Sequence, residues 1–109
     1  MRLTFLGKNT NKNGCPSLYR TDRNTYVVQG WRVPGRDDVL EIPHPLLGFL
    51  EPGTCLGVVL QDTGHGTFSL SGEVVTDPEA LAQMGIPDHE TCFEVPVGQE
   101  IRGDAALTR

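Results

Sequence analysis

The sequence is poor in the features that would name a chemistry outright. Across 109 residues no apolar run approaches the roughly 20 residues that a membrane-spanning helix needs. The opening Met1-Arg2-Leu3-Thr4-Phe5-Leu6-Gly7-Lys8 has too short an apolar core for a signal peptide and no small-residue cleavage site. A cytoplasmic protein without a membrane span is expected. Cysteine is scarce and odd in number: Cys15, Cys55 and Cys92 stand far apart, which disfavours a disulfide framework and favours a reducing compartment. No Cys-x-x-Cys or His-x-x-x-His pair joins them to His44, His65 or His89, so neither a metal nor a cofactor is expected. The glycines lack phosphate-loop or dinucleotide spacing, and no nucleophile stands beside a base. No catalytic residue is assigned.

Positive charge is missing from most of the chain. Seven of the nine basic residues (Arg2, Lys8, Lys12, Arg20, Arg23, Arg32, Arg36) fall in residues 1–36, where Asp22 is the one acid. Residues 37–109 carry thirteen acids against Arg102 and Arg109. Such a split points either to a basic face aimed at an acidic partner, or to interleaved halves that neutralise one another.

Turn formers, by contrast, are plentiful. Thirteen Gly and eight Pro punctuate short β-branched and aromatic runs, as in one small β-rich domain over residues 1–109. The two halves also read alike. Thr25-Tyr26-Val27-Val28-Gln29-Gly30-Trp31-Arg32-Val33 matches Thr67-Phe68-Ser69-Leu70-Ser71-Gly72-Glu73-Val74-Val75 at an offset of 42. Leu40-Glu41-Ile42-Pro43 matches Phe93-Glu94-Val95-Pro96 at an offset of 53, the extra 11 residues being an insert over 77–87. Either duplication or generic strand composition gives such matches. Duplication predicts two ββ-x-β units, over 17–50 and 55–98, with Gly30 and Gly72 at matching close crossings.

Alternation predicts strands over 2–7, 17–21, 25–33, 39–42, 55–61, 67–75 and 91–95. The loop 8–14 is polar, and Asp22-Arg23-Asn24 suits a hairpin turn. A single helical turn is expected over 44–50. Asp77-Pro78-Glu79 opens a helix that Gly85 closes. The tail after Gln99 has no pattern. The expected fold is mainly β (α+β), a small antiparallel barrel or sandwich with one or two short helices.

Arg20, Arg23, Arg32 and Arg36, interleaved with Tyr19, Tyr26 and Trp31, form the candidate binding set. Rings that stack on bases beside arginines that meet phosphates would bind single-stranded nucleic acid. Alternation instead sends Tyr19 and Trp31 to one face and Arg20 and Arg32 to the other, which reads as core plus solvated edge. Gly64-His65-Gly66 reads as a hairpin tip rather than a base, and Arg102-Gly103-Asp104 as a chance tripeptide. Asp37-Asp38 reads as a solvated loop.

The run Pro16-Ser17-Leu18-Tyr19-Arg20-Thr21-Asp22-Arg23-Asn24-Thr25-Tyr26-Val27-Val28-Gln29-Gly30-Trp31, preceded by Leu6-Gly7-Lys8, resembles the opening of a family of small uncharacterised actinobacterial proteins. Thr76–Leu81, Glu90-Thr91 and Glu94-Val95-Pro96 share its character, although the family's helix usually follows the first hairpin and this one follows the second. The resemblance implies a regulatory accessory protein, often encoded near helix-turn-helix regulators, and brings no catalytic residues. The expected function is a non-enzymatic cytoplasmic binding or accessory protein with a protein partner, linked to transcriptional regulation through protein contacts. A single-stranded nucleic-acid-binding module is the alternative, and a small-molecule enzyme the third reading.

Overall fold

A computed structural model describes residues 1–10 and 15–99, so part of the 8–14 loop and the tripeptide at 102–104 lie outside it. Strand β1 (Leu3–Lys8) pairs antiparallel with β2 (Ser17–Thr21). A register shift between Phe5 and Gly7 breaks its alternation, so Leu6 packs on the main core while Phe5 stays 55% exposed. β2 turns into β3 (Thr25–Val33) through Asn24 at φ 59, a left-handed conformation that Asn tolerates. Pro34-Gly35, with Gly35 at φ 80, is tight enough that pairing resumes at Arg36. β4 (Arg36–Pro43) is therefore longer than predicted. A 3-10 helix (His44–Phe49) follows, with Pro45 in its first turn and Leu46 fully buried.

The strand expected over 55–61 is two separate pieces. β5 (Thr54–Leu56) pairs with the last strand, β9 (Glu90–Gln99), and β6 (Gln61–Asp62) pairs with β7 (Thr67–Leu70). The break sits at Gly57, whose amide donates to the Pro96 carbonyl at 2.7 Å; a Cβ there would meet the same oxygen at 2.7 Å. The 67–75 run also divides, into β7 and β8 (Glu73–Val74), around Ser71 and Gly72. Helix α1 (Pro78–Met84) begins where Asp77 accepts from the Glu79 amide and ends at Gly85, φ 63.

The protein is mainly β with antiparallel pairing and two short helices, and its sheet does not close into a barrel. One ladder runs β1-β2-β3-β4-β7-β6, while β9 pairs with β3, β5 and β8. Six of these ladders obey the two sequence offsets, in three pairs. Arg20↔Tyr26 and Tyr19↔Val27 become Asp62↔Phe68 and Gln61↔Ser69 on adding 42. Trp31↔Glu41 and Arg32↔Leu40 become Glu73↔Glu94 and Val74↔Phe93. Between the halves, Thr25↔Pro96, Tyr26↔Val95, Val27↔Glu94 and Val28↔Phe93 become Thr67↔Pro43, Phe68↔Ile42, Ser69↔Glu41 and Leu70↔Leu40. Each half thus lends its third strand to the other half's hairpin.

The main core lies on the shared inner face. Val28 and Leu70, Leu40 and Phe93, and Ile42 and Val95 are buried pairs under the same offsets, with Tyr26 matched by the partly buried Phe68. Apolar side chains from both halves therefore meet in one cluster, the dominant stabilising term for a domain this size.

Candidate functional cleft

The outer faces of the two halves carry different cover. On the first, Tyr19, Val27, Val75 and Cys92 are buried with Ala80 of α1, and Met1, Leu3, Met84 and Ile86 pack around them. The same offsets carry Tyr19 to Gln61, Val27 to Ser69, Val75 to Val33 and Cys92 to Val39. Those four residues line an open cleft of about 600 Å3 on the second face. The reason is local. Between β8 and β9 the chain inserts α1, which folds over its face, whereas Pro34-Gly35 joins β3 to β4 with nothing to spare.

Val58 and Val59 extend the apolar wall, and Val59 is 87% exposed. Arg36 and Glu41 add opposite charges, and Arg36 is held in an exposed pair with Asp38 at 3.0 Å. That guanidinium pulls the Asp38 carboxyl below its usual range. β6 borders the cleft at the end of the ladder, pairing only with β7 among the described residues. The equivalent strand β2 has its outer edge taken by β1, with Phe5 edge-on to Tyr19 at a ring distance of 5.7 Å.

Each hairpin tip closes on the opposite half through a matching set of polar groups. Thr21 and Thr25 share a hydroxyl hydrogen bond of 2.6 Å; Thr63 and Thr67 share one of 2.7 Å. The Thr25 hydroxyl donates to Glu94 at 2.6 Å and the Thr67 hydroxyl to Glu41 at 2.9 Å. Arg23 reaches Glu94 at 2.7 Å, and its counterpart His65 lies 3.2 Å from Glu41. Gly64 (φ 88) and Gly66 (φ 94) give the second tip its path, so the Gly-His-Gly run serves the turn.

The four candidate arginines do not come together. Arg20 is engaged by Glu51 and by Asn24 at 2.7 Å, and lies over the Tyr26 ring at 5.6 Å. Arg23 pairs with Glu94, Arg36 with Asp38, and Arg32 donates to the Asp88 carbonyl at 2.9 Å. Arg20 and Arg23 sit at one end of β3 and Arg32 and Arg36 at the other, about 25 Å along the strand. Three of the four face acids from the acidic part of the chain, which is the interleaved outcome of the charge split. Tyr19 is buried, as alternation required, but Trp31 is only half-buried, and Tyr26 is buried in the main core on the other face.

The cleft was missed because none of its residues forms a motif. Its one sequence signal is the insert itself: 11 residues present in one half and absent from the other leave one face bare. Among the described residues no cluster of three or more His, Cys, Asp or Glu is placed to hold a metal ion, and no helix is long and apolar enough to cross a membrane. No family model, curated protein or solved structure matches the chain.

Proposed function

We propose that this chain is two copies of one ββ-x-β unit and acts as a non-enzymatic cytoplasmic binding protein. Its open cleft takes up an extended segment of a partner protein. The observation that carries this reading is the unequal cover of equivalent faces. Where β1 and α1 complete the first face, the second offers a β6 edge that is unpaired among the described residues, beside an apolar wall. Edge strands recruit partner strands through main-chain hydrogen bonds, with specificity set by alternate side chains.

An incoming strand in the place β1 holds on β2 runs antiparallel to Leu60–Thr63. Its residue opposite Gln61 shares the cleft face and is apolar, as Phe5 is beside Tyr19. Its residue opposite Asp62 takes the place that Thr4 holds opposite Arg20; Asp62 stands where the first half has Arg20, so that residue is basic. Three free, scattered cysteines support a reducing compartment. The likeness of residues 6–33 to actinobacterial proteins encoded beside helix-turn-helix regulators supports a regulator as the partner. The nucleic-acid alternative draws no support from the arginines, each of which is already engaged.

The test is selection from a displayed peptide library followed by amide chemical-shift mapping. Enriched peptides should alternate apolar and basic residues and perturb residues 33–41 and 58–71. The exposed substitution Val59→Asp should weaken binding at least tenfold, and Asp62→Lys should reverse the charge preference. Perturbations confined to other faces, or indifference to both substitutions, would overturn the reading.

A further inference from the structure

A second cavity, of about 410 Å3, opens beside the C-terminal end of α1 at the margin of the face that the helix covers, with Phe5, Lys8, Tyr19, Met84, Gln29 and Glu90 in its lining. That volume lies within the range of small-molecule sites. Two of its walls are unusual. Glu90 is 0% exposed, and its carboxylate accepts from Gln29 Nε2 at 2.6 Å and from the Cys15 amide at 3.0 Å. Among the described residues no Lys or Arg pairs with it: Lys8 stands elsewhere in the lining, and the imidazole of His89, largely in solvent, has Nε2 at 3.5 Å. Gln29 is 4% exposed, and among the described residues its Oε1 has no hydrogen-bond partner.

A carboxylate held out of water without a paired cation, and an amide oxygen held there without a donor, are both costly. Both sit on rigid, long-paired strands, where Gln29↔Cys92 and Trp31↔Glu90 are ladder partners. Phe5, Tyr19 and Met84 give the cavity an apolar wall, with Lys8, Cys15 and Ser17 also in the lining, and burial raises the Tyr19 phenol above its ordinary pKa, keeping the ring neutral. One carboxylate and one amide are too few ligands for a metal ion. An ammonium group fits instead: its three donors reach Glu90 and Gln29 together, and its carbon body lies against the rings.

We propose that this cavity binds a primary amine on a short apolar body, with the Glu90 carboxylate and the Gln29 amide oxygen as its two acceptors. This site is separate from the protein-binding cleft and does not depend on it. The test pairs benzylamine with benzyl alcohol, which share shape and differ in charge and donor count. Titrated into the unmodified protein, benzylamine should shift amide resonances at 15–19, 29 and 84–92, and benzyl alcohol at the same concentration should not. Glu90→Gln should weaken benzylamine at least tenfold. If that variant fails to fold, Gln29→Met should reduce affinity and Lys8→Glu, at the rim, should raise it. Equal binding of both probes, shifts confined to 33–41 and 58–71, or no saturable shift by benzylamine would overturn the proposal.

Discussion

Under α1, Tyr19 and Val27 are shut away from water beside Ala80; at the matching ladder positions beneath the open cleft stand Gln61 and Ser69. The backbone geometry is the same, because Tyr19↔Val27 and Gln61↔Ser69 are equivalent pairs of equivalent hairpins. Residue polarity has followed the cover and not the strand. Two positions depart from that rule: Val33 and Val39 remain apolar although no helix of the described residues lies over them. A face partly polar and partly apolar tolerates water and still gains from burial, as expected of a surface that is covered only some of the time.

The sharpest way to break this comparison is to exchange the residues. Val27→Ser places a hydroxyl and a small void under the helix, and should cost about 2–4 kcal/mol in urea unfolding. The reciprocal Ser69→Val should change stability by no more than about 0.5 kcal/mol, since its face is open. Equal losses would mean that the two faces are energetically alike and that the cleft is not a distinct surface.

Strand limits in the first half were legible because local signals agreed: β2 and β3 fall where alternation and the Asp-Arg-Asn turn put them. The second half was less so. Gly57 and Gly72 break strands that alternation would have continued, and the cause is a close crossing with β9 some 20–40 residues away in sequence. Such contacts have no local signature. The ladder offsets of 42 and 53 were visible in the residues, yet the exchange of third strands between halves was not, because offsets carry no information on which strand pairs with which. The arginines illustrate the same limit: Arg23 looked available until Glu94, 71 residues on, was found beside it.

The two glycines at equivalent positions give a smaller contrast. A Cβ on Gly30 would lie 2.5 Å from the Glu41 carbonyl oxygen, a backbone atom fixed in a ladder; on Gly72 it would first meet a Val95 methyl at 2.9 Å. Gly30→Ala should therefore destabilise by about 2–3 kcal/mol and Gly72→Ala by about 1 kcal/mol, read from thermal or urea unfolding. The tip carboxylates should differ by less still. Glu94 makes the shorter contacts and is more buried than Glu41, so Glu94→Ala should exceed Glu41→Ala by about 1 kcal/mol. A reversed order in either pair would mean that the halves are less alike than their registers.

The gentlest probe compares a thiol on each face. Cys92 is buried under α1, and burial pushes its thiol up to about 11 from an ordinary value of 9.0. Only the thiolate reacts with iodoacetamide, so at pH 8 Cys92 should label far more slowly than the partly exposed Cys55. Because the folded pKa is raised, the stability this thiol contributes as a neutral group is complete below pH 9 and is lost as pH climbs through 11. Unfolding free energy should fall over that window in the unmodified protein, and less steeply in Cys92→Ala. Val39 occupies the equivalent place on the open face, so Val39→Cys puts a second thiol at the same ladder position without a helix above it. Its labelling at pH 8, followed by intact mass in a Cys92-containing background, should outpace that of Cys92 at least tenfold. Matching rates would show that α1 opens as readily as the bare cleft, and would remove the difference between the faces on which the binding proposal rests.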